Sequence, residues 1–171
     1  MEVIVTDHHE IPVHKEGENL CYDLPPADVI VNPKQPGETY PQTGICGAMV
    51  AYKVMCLLLS RAEEFCSSEK REELLSELLV PVALATVCDV MELTGENRAA
   101  VAQGLLLAKH CKNLGIRAIL NAYELTEKKL SAYHAGFIIG PCFNAAGRLD
   151  TALLGLELLL CENEAEAERR A

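Results

Sequence analysis

Asp7, His8 and His9 stand side by side, and the chemistry they offer is metal binding. Carboxylate supplies charge and neutral imidazole a borderline nitrogen donor, a combination that suits Mn²⁺, Fe²⁺ or Zn²⁺. The three residues follow Val3-Ile4-Val5, where an apolar run stops abruptly in Thr6-Asp7-His8-His9-Glu10. In a continuing strand Asp7 and His9 would point together and His8 away, so one face cannot present all three unless the strand has ended. A strand end whose Asp and His residues hydrogen-bond to a following turn explains the same ten residues, and these residues alone leave both readings open.

Two further places carry chemistry. Asp89 closes the almost wholly apolar stretch Val82 to Val87, where a carboxylate carries a desolvation cost unless it is paired, hydrogen-bonded or metal-bound. An Asp exposed at a helix end is the plain alternative. Asn144-Ala-Ala-Gly147-Arg148 presents one amide and one guanidinium among residues too small to obstruct a backbone. Arg suits bidentate phosphate contact, and small neighbours let a nucleic-acid strand come close. Arg98 either reaches phosphate or pairs with a nearby acid.

The elements that must position these groups follow from the apolar pattern. Val3 to Val5 and Ala27 to Val31 read as strands apolar on both faces, as in a parallel sheet covered by helices on each side. In such open α/β sheets the reactive crevice lies beyond the carboxyl ends of the strands, which is where Asp7, His8 and His9 fall. Residues 11 to 26 are polar without periodicity and read as a loop, with His14 solvated. Asn32-Pro33-Lys34-Gln35-Pro36-Gly37 forces a turn. Residues 43 to 60 predict a helix starting near Thr43 or Gly44, whose Gly44, Gly47 and Ala48 permit close approach and whose first-turn N–H groups could bind an anion.

Further on, Ser67 or Ser68 caps a helix over Glu69 to Leu79, and Pro81 stops it and begins a second, buried one. Thr94 caps a helix from about Glu96 to Asn113, ended by Gly115. Ile116 to Leu120 is ambiguous between strand and helix. A short helix is expected from Thr126 to His134, a turn at Gly140-Pro141, and a longer helix from Asp150 onward.

The whole chain sets the bounds. Its 171 residues permit one domain with a sizeable core, and 50% hydrophobic with 23% charged residues is ordinary for a globular protein. No apolar run reaches the ~18 residues of a membrane span and no signal peptide is visible, so the expectation is a cytoplasmic protein that does not meet the membrane. Eight cysteines without a Cys-x-x-Cys pair read as reduced, buried small hydrophobes. The net charge of −10 argues against nucleic acid by itself. Much of that acid lies in Glu63 to Glu77 and Glu157 to Glu168, which look like solvated helix faces, so cations at the active site and other domains would have to hold a strand.

Val-Thr-Asp-His-His-Glu resembles the signature of the DHH phosphoesterases, and further stretches narrow the resemblance to the RecJ single-strand-specific exonucleases. These are Asn32-Pro33-Lys34-x-Pro36, Cys46-Gly-Ala-x-Val-Ala51, Ala-Thr-Val-Cys-Asp89-Val-Met-Glu-Leu with Asn97-Arg98 after it, and Gly140-Pro-Cys-Phe-Asn144-Ala-Ala-Gly147-Arg148. The resemblance runs along the whole chain. It implies an α/β fold with a parallel sheet and helices on both faces, the C-terminal part of a DHH domain over residues 1–150. From residue 151 to 171 it implies the start of the helix linking that domain to the next.

It also implies roles. His8 and Asp89 ligate metal, Asp7 ligates or supports, and His9 meets the phosphate and assists proton transfer. Asn144, Gly147 and Arg148 lie along the DNA backbone, with Arg98 as a further substrate contact. The cofactor implied is Mn²⁺, with Mg²⁺ as its substitute, in a two-metal site with ions about 3.5–4 Å apart. The reaction implied is hydrolysis of single-stranded DNA from its 5′ end, in DNA repair and recombination.

Two positions depart from the family. Glu92 stands where Pro is usual, and Cys142 stands where the family has an Arg, which removes a cation from phosphate binding. The family's Asp-x-Asp motif and a further Asp precede the DHH motif, which here begins at residue 7. The expectation is therefore an internal or truncated fragment with about half the metal ligands, inactive alone, and able to self-associate through surface left by missing strands. Alternatives are a DHH phosphodiesterase for oligonucleotides or cyclic dinucleotides, an inorganic pyrophosphatase, or a non-catalytic interaction fragment.

Overall fold

A computed structural model describes residues 1–62, 64, 66–149 and 153–171, with the side chains of 145–149 outside the description. Strand β1 (Ile4–Thr6) pairs in parallel with β4 (Val29–Val31), Ile4 opposite Val29 and Thr6 opposite Val31. Asp7 extends this ladder by one bond, its N–H donating to the Val31 carbonyl at 3.0 Å. Val31 packs on a small cluster of Ile45, Met49 and Val50. The outer surface of the pair is open, with Val3 40%, Ile4 63% and Val29 49% exposed. The expected burial of these strands on both faces is therefore corrected: among the described residues nothing covers that side.

The polar segment read as a loop is a hairpin. Strands β2 (Val13–Glu16) and β3 (Asn19–Tyr22) pair antiparallel around the two residues Gly17 and Glu18. Gly17 has φ +64°, and a glycine opening a two-residue connection is the local signal that marks such a turn.

The body of the molecule is helical. Helix α1 (Gly47–Arg61) begins three residues later than Gly44. Helix α2 (Ser68–Cys88) continues through Pro81 instead of stopping there. Val80, Val82 and Ala83 around the proline are buried at 1%, 3% and 0% exposure, and α2 packs along both α1 and α3 (Gly95–Leu107), so tertiary packing outweighs the lost N–H bond. After α3 a 3₁₀ turn (Ala108–His110) leads to α4 (Leu114–Ala122), which resolves the ambiguous segment as helix. Gly115 lies inside α4 rather than capping α3. A Cβ there would collide with the Leu158 carbonyl, so the glycine serves a close helix crossing.

Residues 126–130 are irregular, and α5 (Ala132–His134) passes through a π-helical turn (Ala135–Ile139) into α6 (Gly140–Leu149). Gly140-Pro141 thus lies within a continuous helical run, just after the π-helical turn, rather than in a turn. The long final helix is also corrected. Helix α7 (Leu153–Leu159) ends, and α8 (Glu164–Arg170) begins after Asn163, whose side chain caps it. Leu158 and Ala167 join the main core with Ile116, Ile119 and Ile139. The expected boundary at 150/151 lies outside the described residues. No helix among the described residues is long and apolar enough to cross a membrane. All eight cysteines are free thiols; Cys46 and Cys111 are buried and the other six half-buried.

Candidate metal centre

The strand ends at Asp7 because Asp7 ends it. Its Oδ1 accepts the backbone N–H of His8 at 2.8 Å and of His9 at 3.3 Å, and the side chain thereby curls the chain over. The same oxygen meets His9 Nδ1 at 2.7 Å. An ionised carboxylate can only accept, so Nδ1 carries the proton and Nε2 is the ring nitrogen left available, on a side chain 77% exposed. The His9 contact, followed by the two N–H bonds, holds the Asp7 carboxyl below its ordinary value against the opposing effect of burial. Strand alternation no longer applies, and one ligand atom from each of Asp7, His8 and His9 lies within 4.8 Å of the others.

His8 turns inward. Its side chain is 16% exposed and lies over Gly47, the first residue of α1, where a Cβ would stand 3.2 Å from the ring's Cδ2. The close approach expected of Gly47 is therefore to this ring. A Cβ on Gly44 would meet nothing. Across from His8 stands Asp89, with His8 Nε2 and Asp89 Oδ2 3.8 Å apart. That separation is less than twice the ~2.1 Å usual for nitrogen and carboxylate ligands, so both atoms can reach one ion.

Asp89 is delivered by the end of α2. It is the C-cap residue, and the two bonds that follow, Val90 N–H to Val87 O at 3.1 Å and Met91 N–H to Thr86 O at 3.1 Å, close a Schellman turn. Val90 takes the left-handed position at φ +56°, where a β-branched residue is strained. The Asp89 side chain, 44% exposed, therefore projects toward His8 from a helix end held open to solvent. Burial, with the Asp89 charge beside it, pushes the thiol of neighbouring Cys88 up.

Asn32 belongs to the proline turn and to the family-like Asn-Pro-Lys segment, with no site role expected of it from the sequence. It is 2% exposed, donates through Nδ2 to the His9 carbonyl at 2.9 Å and accepts the Lys34 N–H at 2.9 Å, so it ties the ligand turn to the end of β4. An Asn at a strand end directly before a proline turn is the signal that could have found it. Asn144 is exposed and lines a cleft of about 470 Å³ together with Asp89, Ala48 and Phe143. The side chains of Gly147 and Arg148 lie outside the described residues. Arg98 is exposed in the first turn of α3 and pairs with no acid among the described residues.

No family model matches this chain. Curated relatives do. The RecJ single-stranded-DNA-specific exonuclease of Dickeya dadantii is 39% identical over 174 residues, an alignment covering 99% of this chain and 28% of the relative. The chain is related along its whole length to part of the RecJ exonucleases. RecJ structures agree. A crystal structure of exonuclease RecJ bound to manganese superposes with a TM-score of 0.73 at 31% identity, covering 99% of this chain and 38% of the other. RecJ from Thermus thermophilus in complex with Mn²⁺ gives 0.71 at 32% identity, covering 99% and 22%. This chain thus spans little more than a quarter of the length of the Dickeya relative, and the α/β fold with its parallel pair is that of the corresponding RecJ region.

Proposed function

We propose that this chain supplies part of the catalytic DHH domain of a RecJ-like exonuclease, which hydrolyses single-stranded DNA from the 5′ end with Mn²⁺ or Mg²⁺. The observation that carries the reading is the meeting of His8 and Asp89. They are distant in sequence, sit at the end of a strand and the end of a helix, and face each other at 3.8 Å beside Asp7 and His9.

In this reading His8 and Asp89 hold metal and Asp7 completes or supports that set. Divalent ions held there would supply a water of lowered pKa and neutralise charge developing on the phosphate. Asp7 fixes the His9 ring through Nδ1, which leaves the exposed Nε2 to take up a proton and, as imidazolium, to donate to a phosphate oxygen or pass that proton to the leaving oxygen. Asn144 in the adjoining cleft, with Gly147 and Arg148 beyond it and Arg98 on α3, positions the DNA backbone. Residues 1–150 form the catalytic part, and 151–171 lead on toward the next domain. The setting is DNA repair and recombination in the cytoplasm.

The test is Mn²⁺-dependent degradation of 5′-phosphorylated single-stranded DNA by a full-length RecJ-like protein carrying this sequence, beside its Asp89→Asn variant. Loss of at least ~10²-fold in rate is expected, since the substitution removes a metal ligand. Undiminished activity in Asp89→Asn, or digestion from the 3′ end, would remove the assignment.

A further inference from the structure

Two buried polar ties join the segment that leads into Gly47 to the region around Asp89, one to the turn that follows it and one to the last turn of α2. Asn97, fully buried in α3, donates through Nδ2 to two carbonyls at once, Gly44 O at 2.7 Å and Glu92 O at 3.0 Å. Its Oδ1 has no donor among the described residues. The amide orientation follows from this, because reversing it would set an acceptor against two carbonyl oxygens. The second tie joins Cys46 Sγ and Thr86 Oγ1 at 3.4 Å, both 0% exposed.

Each carbonyl that Asn97 holds lies three residues from a position that shapes the metal centre. Gly44 precedes Gly47, the surface on which the His8 ring rests. Glu92 follows Asp89, beyond the strained Val90. The Cys46–Thr86 contact also holds the entry to α1, against the last turn of α2, but among the described residues the Glu92 end has no other cross-tie of comparable burial: Gln42 Nε2 donates to Thr94 O at 3.2 Å in exposed surroundings, and Tyr40 and Lys53 grip Glu96 in the first turn of α3. One side chain therefore spans the gap between the wall behind His8 and the loop behind Asp89.

We infer that Asn97 is a positioning residue for the metal centre: its amide sets the spacing of His8 and Asp89 by holding Gly44 and Glu92 together. It touches neither ligand. The inference rests on the metal-binding reading above for its purpose but not for its geometry, and the experiment separates the two. An Asp at this position would keep the volume and lose the donors.

The experiment compares this chain with Asn97→Ala and with Ile119→Val, a core change remote from the centre that lowers Tm without touching it. Two quantities are read: the NMR cross-peak between the His8 ring proton on Cδ2 and the α protons of Gly47 in metal-free protein, and Mn²⁺ affinity by paramagnetic titration. Asn97→Ala is expected to lose the cross-peak and to weaken Mn²⁺ binding by about tenfold or more, the usual effect of removing a group that orients metal ligands. Ile119→Val keeps both despite its lower Tm. Should Asn97→Ala be too unstable to isolate, Asn97→Asp is read in the same way. A folded Asn97 variant with the parent's cross-peak and affinity overturns the inference. If the parent chain binds no Mn²⁺, the metal reading fails for this chain, and the cross-peak alone decides whether Asn97 positions His8.

Discussion

The helical body and the strand end of this molecule are built to different standards. In the body, Ile116, Ile119, Leu120, Leu125 and Ile139 are at most 2% exposed and form one cluster reaching from α2 to α8. At the strand end, Val3, Ile4 and Val29 are 40–63% exposed, and the ligand turn is held by single groups: Asp7, Asn32 and the close fit of His8 on Gly47. The difference teaches that the candidate chemistry is positioned by a few directed bonds rather than by packing. Hydrophobic burial is non-directional and stabilises in proportion to area, whereas ligand geometry needs groups that fix angle as well as distance.

The widest test of this contrast is a pair of truncations. Ile119→Ala should cost about 2–5 kcal/mol in urea unfolding, the range for a buried aliphatic residue leaving a cavity. Ile4→Ala should change stability by no more than about 0.5 kcal/mol, as at other exposed sites. Comparable losses at the two positions would show that the strand end is packed as the body is. A smaller effect, opposite in sign, is expected at the other edge of the centre. Val90→Gly relieves the left-handed strain after Asp89 and should raise stability by about 1 kcal/mol, net of the extra freedom that glycine gives the unfolded chain. A loss instead would mean that the valine side chain contributes packing that its 87% exposure hides.

The smallest effect concerns the ligand turn alone. The Asp7 carboxyl, held below its ordinary 3.8 chiefly by the His9 contact, contributes stability that is fully present above that value and is lost as pH falls through the lowered folded-state value. The side chain is 41% exposed, so solvent screening keeps the contribution small. Measured from about pH 5 to about pH 2.5, the stability difference between the parent and Asp7→Asn should stay level above 3.8 and shrink below it. A difference that grows on acidification would reverse the sign of the His9 interaction and leave the local network without its anchor.

Much of the ligand turn was legible beforehand because it is local. The oxygen that ends β1 belongs to Asp7 itself, and its partners are the next two residues, so composition and adjacency were enough to mark a polar strand end. Residue types alone could not say that the turn frees His8 from strand alternation. Local rules misled wherever long-range packing prevailed: Pro81 lies within α2, Gly115 serves the crossing of α4 and α7, and Pro141 sits inside a helical run rather than in a turn. The hairpin at Val13–Tyr22 was the reverse case, a local signal at Gly17 hidden by polar side chains.

What the sequence determined by itself was the inventory of chemistry: a carboxylate and two imidazoles at a strand end, a second carboxylate closing an apolar helix, and an amide and a guanidinium among small residues. What only the tertiary structure decided was their assembly. His8 meets Asp89 because α1 presents a bare Gly47 beneath the ring, and because the turn after α2 and the entry to α1 hang on one buried amide. Contacts between residues so far apart in the chain depend on the packing angle of whole helices, and no short window of sequence encodes that.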